Sequence, residues 1–182
     1  MRWLAYFILA YLALALQIGL APYLQYRGAA PNLVLLAAVF VALNAPRDAA
    51  LLGCFCLGVM QDLVTQQQPG LFALSYGLIG MVIFSAHQVV YREHPLTHFS
   101  LALLGGVITT VVLLLHGWIH PPSPRVPAAA GLPALPAIRL SPGTEFTRTL
   151  YTAVLAPVVL GVLQRMKKVF AFQPQRRKVR AW

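Results

Sequence analysis

Chemistry needs ionisable, nucleophilic or metal-binding side chains placed together, and this chain offers few of them. Asp62 is the first candidate. It is the only acidic residue inside any of the long apolar stretches, and an ionisable group at membrane depth costs several kcal/mol unless it is partnered. On a helix it shares a stripe with Cys54, Gly58, Gln61 and Thr65, at i, i+4, i+7, i+8 and i+11. That stripe is small and polar, so it is expected to face other helices. Leu52, Phe55, Val59 and Leu63 are left for lipid or bulky neighbours. Gly58-x-x-x-Asp62 thus reads as a close helix approach carrying a buried polar group.

Three readings of Asp62 stay open: a structural polar contact, an interfacial residue wetted from outside, and an ion or substrate ligand. Its place near the carboxyl end of its helix argues against a simple capping role, because the helix dipole leaves partial negative charge there. If the preceding span folds back as a hairpin about Pro46-Arg47, Asn32 returns to nearly the depth of Asp62 and could donate a hydrogen bond to it. Arg27 or Arg148 could supply charge.

Other reactive residues read more plainly. His116 and His120 have a spacing that could share a metal, but no third ligand is nearby, so no metal site is expected. Cys54 and Cys56 point to different sides of a helix, which suits packing and not a disulfide. There is no Gly-rich phosphate loop, no His-Glu-x-x-His, no paired carboxylates and no nucleophile with its base. No cofactor is expected, and an enzyme is disfavoured.

The elements that must position these residues are read from the charge distribution. The chain of 182 residues is 59% hydrophobic and 10% charged, against about a quarter charged in soluble domains. No Asp, Glu, Lys or Arg occurs over Trp3–Tyr26, Asn32–Pro46 or Pro95–Pro124. Helices of about 20 apolar residues cross a bilayer, so lipid is the expected solvent. Six spans are expected: Trp3 to Gln25, Asn32 to Asn44, Ala49 to Thr65, Leu71 to Tyr91, His98 to Trp118, and Phe146 to Leu163. The second is short, about 20 Å at 1.5 Å per residue. It is expected to thin the bilayer or to form a re-entrant hairpin with the third. Pro31 suits its first turn. Small residues at Ala73, Gly77 and Gly80, at Ala102, Gly106 and Thr109, and at Ala153, Pro157 and Gly161 allow close helix packing.

Residues 1–164 therefore form one transmembrane domain, with a Pro/Ala-rich outer loop at about 121–145, and 165–182 a basic tail. That loop reads as an extended spacer. The net charge of +10 rests largely on Arg165, Lys167, Lys168, Arg176, Arg177, Lys178 and Arg180. Beside a membrane helix these signal a cytoplasmic end and contact with anionic lipid; no folded basic domain accompanies them, so nucleic acid is not an expected partner. Both termini are expected inside, and the first span is expected to be an uncleaved helix.

Four short pieces carry a resemblance to a known family. Pro31-Asn32-Leu33 opens the second span and Ala45-Pro46-Arg47 closes it. Gly58-Val59-Met60-Gln61-Asp62-Leu63 lies late in the third. Pro69-Gly70-Leu71-Phe72-Ala73-Leu74-Ser75-Tyr76 leads into the fourth, with Gly80 beyond. In order and spacing they resemble the MreD family of rod shape-determining proteins. The resemblance implies an all-α integral membrane bundle of about six helices, similar to the substrate-binding subunits of vitamin (ECF-type) transporters. It implies a non-enzymatic component of the bacterial cell-elongation machinery in the cytoplasmic membrane, binding an MreC-type scaffold and linking MreB filaments to peptidoglycan synthesis. Asp62, Gly58, Asn32, Pro31, Gly70 and Gly80 are then the candidate intramembrane polar and partner contacts. A rival reading is a small-molecule-binding subunit of a vitamin-type transporter, which should show a polar outward cavity.

Overall fold

A computed structural model describes residues 3–20, 23–26, 28–65, 69–86, 95–119 and 142–170. These form six helices: α1 (Trp3–Leu20), α2 (Leu33–Asn44), α3 (Arg47–Val64), α4 (Leu71–Ala86), α5 (Pro95–Ile119) and α6 (Pro142–Phe170). Among the described residues, three helices are long and apolar enough to cross a membrane: Trp3–Leu20, Leu96–Ile119 and Gly143–Met166. The bundle exterior is apolar as well. Phe7 and Tyr11 on α1, Leu52 and Phe55 on α3, Val107 and Val111 on α5, and Val154 and Val158 on α6 all face outward.

The short second helix is the centre of the bundle. Leu33–Asn44 carries no polar face, and every residue from Val34 to Asn44 is buried. A helix that is apolar all round must be covered all round, and α2 packs against each of the other five helices. This resolves the length problem that the sequence poses. A helix of 12 residues is only about 18 Å long. Being walled by protein, α2 need not match the hydrocarbon thickness itself.

Local sequence sets the helix ends. Ala45 closes α2 with its N–H on the Val41 carbonyl, and Pro46 opens α3, which has Asp48 in its first turn where the helix dipole favours an acid. Arg47 lies over the Phe84 ring at 5.0 Å, linking the starts of α3 and the far end of α4. Several helix limits differ from the sequence reading. The fifth helix begins at Pro95, before the expected start at His98; proline lacks only an N–H that a first helical turn leaves unused. The last helix runs on to Phe170, past the expected end of the span at Leu163, so Arg165 and the backbone of Lys167 and Lys168 are helical.

Small residues govern how closely the helices pack. Gly80 on α4 meets Cys54 on α3, whose Sγ also approaches the Ala38 carbonyl of α2 at 3.4 Å. Gly106 on α5 faces Thr149 on α6, where an added Cβ would stand 2.5 Å from Cγ2. Gly161 behaves differently from expectation: a Cβ there would meet nothing within 4 Å, so it mediates no close approach.

Candidate functional site

Polar side chains gather at the end of the bundle where α3 finishes and α2, α4 and α6 begin. Asp62 sits in the last turn of α3 and is only 6% exposed. Its carboxylate reaches across to the start of α4. Oδ2 accepts from the backbone N–H of Gly70 and of Ala73, and Oδ1 from that of Phe72, each at 3.0 Å. The first N–H groups of a helix have no intrahelical partner and sit at the positive end of its dipole. A buried carboxylate is the natural complement. The sequence argument against capping is corrected here: it considered the helix that carries Asp62, whereas the helix Asp62 caps is the next one.

Two glycines make that contact possible. Gly70 has φ +102°, a left-handed conformation that turns the chain back beneath Asp62 and that a Cβ would strain. Gly58, one turn before Asp62 on the same face, lies against the backbone of α4. A Cβ there would stand 2.6 Å from Ala73 N and nearer still to Ala73 Cα and the Phe72 carbonyl oxygen. Gly58 thus admits the start of α4, and Asp62 receives its amides.

Asn32 is the second organiser. It is the N-cap of α2, its Oδ1 accepting from Leu35 N at 3.0 Å. Its Nδ2 donates to the Tyr76 hydroxyl at 2.9 Å, and that hydroxyl donates to Gln61 Oε1. Its own backbone N–H donates to Thr152 Oγ1 at 2.9 Å, and Thr152 donates onward to the Arg148 carbonyl at 2.7 Å. Asn32 was expected to donate to Asp62; its amide goes to Tyr76 instead, because the Asp62 oxygens already hold the amides of α4. Pro31 precedes the cap and does not enter the first turn. Its carbonyl accepts from Gln17 Nε2 at 3.1 Å, while Gln17 Oε1 accepts from Leu33 N at 2.6 Å, so α1 clamps the start of α2.

Arg148 does not reach Asp62 either. It faces Glu145 at 3.7 Å across one turn of α6. Glu145 is 7% exposed, so Asp62 is not the only buried acid. The sequence reading began this helix at Phe146 and left Glu145 in the loop. Gly80 lies away from this cluster, against Cys54. Arg27, His120, Arg176, Arg177, Lys178 and Arg180 lie outside the described residues, as do the side chains of Lys167 and Lys168. His116 occupies the last turn of α5, and the described residues contain no group of three His, Cys, Asp or Glu able to hold a metal.

Sequence reasoning missed Tyr76, Gln17, Glu145 and Thr152. An Asn immediately before an apolar run is an N-cap signal that could have placed Asn32 correctly. Nothing local marks Tyr76 or Thr152 as its partners.

The fold and this cluster define a helical membrane protein whose buried polar groups hold helix ends together. The family described as rod shape-determining protein MreD matches residues 1–125, and the chain belongs to it. The match takes in α1 to α5, with Asp62, Gly58, Asn32 and Tyr76, and assigns the protein a role in rod-shape determination. It stops before α6. No curated protein and no solved structure matches the chain significantly.

Proposed function

We propose that this MreD-family chain is a non-enzymatic, six-span scaffold of the bacterial cell-elongation machinery. In this reading it lies in the cytoplasmic membrane with both termini inside, binds an MreC-type periplasmic protein, and couples the cytoskeleton to peptidoglycan synthesis. The six-helix unit of residues 1–164 is the membrane domain, and its likeness to the ECF-type substrate-binding subunits belongs to the same reading. The basic residues from Arg165 to Arg180 contact anionic lipid. The Asp62 and Asn32 cluster then lies at the outer face, shaping the surface offered to the partner.

The observation that carries this reading is the full engagement of Asp62. Three backbone amides bond its carboxylate, which fixes it in a structural contact with the start of the next helix. The space beside the cluster also favours a scaffold over a vitamin-binding subunit. It is about 20 Å³, whereas small-molecule sites run to several hundred. Purification from the native membrane with a tag on this chain tests the proposal. Recovery of an MreC-type protein in near-equal amount supports it; recovery of the chain alone with a bound small molecule replaces it with the transporter reading.

A further inference from the structure

The small cavity between α2, α4, α5 and α6 has a chemistry of its own. Glu145, Arg148 and Thr149 line it from α6, Thr109 and Thr110 from α5, and Phe72 from α4. Arg148 Nε is buried there and has no hydrogen-bond partner among the described residues. A guanidinium N–H withdrawn from water in this way is a donor seeking an oxygen. The neighbouring Glu145 does not satisfy it: its carboxylate approaches another nitrogen, Nη1, at 3.7 Å, beyond hydrogen-bond reach.

We infer that this cavity is a binding site for one neutral oxygen ligand, a water molecule, that accepts from Arg148 Nε. Three features select that ligand. The cavity is about 20 Å³, enough to admit a water, which needs roughly 10–15 Å³, and too small for an organic ligand. Its charges are opposite and adjacent, so Glu145 disfavours an anion and Arg148 a cation. Acceptors for the two water hydrogens are at hand. Thr109 Oγ1 has donated its own proton to the Gly105 carbonyl at 3.0 Å and keeps its lone pairs, and Thr110 and Thr149 share one hydrogen bond at 3.0 Å. The water adds a second polar bridge between α6 and α5, beside the Thr110–Thr149 bond.

Phe72 and Phe40 provide an internal comparison. Both rings are shielded from bulk solvent, at 1% and 0% exposure, but only Phe72 lines the cavity. Radicals generated from a bound water react in place, so brief X-ray hydroxyl labelling of the full chain in lipid nanodiscs, read by peptide mass spectrometry, should modify Phe72 at least fivefold faster than Phe40. Arg148→Lys keeps the positive charge but removes Nε, and should bring the Phe72 rate down toward that of Phe40. Equal rates in the parent protein overturn the proposal. A Phe72 rate unchanged by Arg148→Lys overturns it too. If the substitution loosens the fold, both rates rise together, and the parent ratio decides.

Discussion

The carboxylate of Asp62 and the backbone amide of Ala73 meet at 3.0 Å across the junction of α3 and α4. The contact joins a helix that is ending to one that is beginning. A capping residue ordinarily sits beside the helix it caps; here it is supplied from eleven residues upstream, on another helix, with Gly58 clearing the way.

Removing that carboxylate should cost more than a single hydrogen bond. Asp62→Ala leaves the Gly70, Phe72 and Ala73 amides without their partner, a loss of about 2–3 kcal/mol once the modest worth of hydrogen bonds in membranes is considered. Thermal unfolding of the detergent-solubilised protein measures it. An unchanged melting temperature would retire the capping role.

Two glycine substitutions should have opposite signs. Gly58→Ala drives a methyl into the backbone of Phe72 and Ala73 and should destabilise by about 2–3 kcal/mol. Gly161→Ala, in the interior of α6 with open space around it, should be neutral or stabilise by roughly 0.5–1 kcal/mol. Denaturation of both variants in the same mixed micelles is the comparison to make, and a loss of equal size at the two positions would refute it.

Gly58 and Asp62 should also be coupled. Both act on the start of α4, so the double variant should lose clearly less than the two single losses combined, by about 1 kcal/mol or more. Strict additivity would mean that the close approach and the carboxylate contact work independently.

Tyr76→Phe tests the second organiser. It deletes the hydroxyl between Asn32 Nδ2 and Gln61 Oε1 while keeping the buried ring, so the expected loss is about 1–2 kcal/mol. Asn32→Ala should cost more, since it also removes the cap on Leu35 N. The reverse ranking of these two variants would argue against Asn32 as the hub.

Deleting residues 176–180 should weaken the retention of anionic lipid, by about 1 kcal/mol for each basic residue near the surface, and leave membrane insertion intact. Counting co-purified anionic lipid by native mass spectrometry reports the first, and membrane fractionation the second. Failure to insert would show that the basic segment sets topology and not lipid contact.

Much of the helix pattern is legible in the chain because uncharged apolar runs stand out against so few charges. The face of α3 is legible too: its stripe of Cys54, Gly58, Gln61 and Asp62 is buried, and Leu52, Phe55, Val59 and Leu63 are exposed, as helical periodicity requires. Periodicity identifies a face but not the neighbour it meets. The partners of Asp62 are backbone amides, which no residue type announces, and those of Asn32 lie 44 and 120 residues away. The central position of α2 is readable only from its lack of any polar face, a property it shares with lipid-facing helices. Glu145 was lost to a helix boundary placed four residues late, at Phe146 where the helix begins at Pro142.

The bond from Asn32 N to Thr152 Oγ1 spans 120 residues and joins the second helix to the last. During synthesis at about 5–20 residues per second, the amino end of α2 waits roughly 6–24 s for that partner to be made. Throughout this interval α2, too short to settle alone across a bilayer, lacks at least one of its five walls. The centre of the bundle is therefore made before four of its five walls. A nascent chain halted before α6 would hold an open flank beside its most buried helix, the state on which chaperones and proteases of the membrane would act.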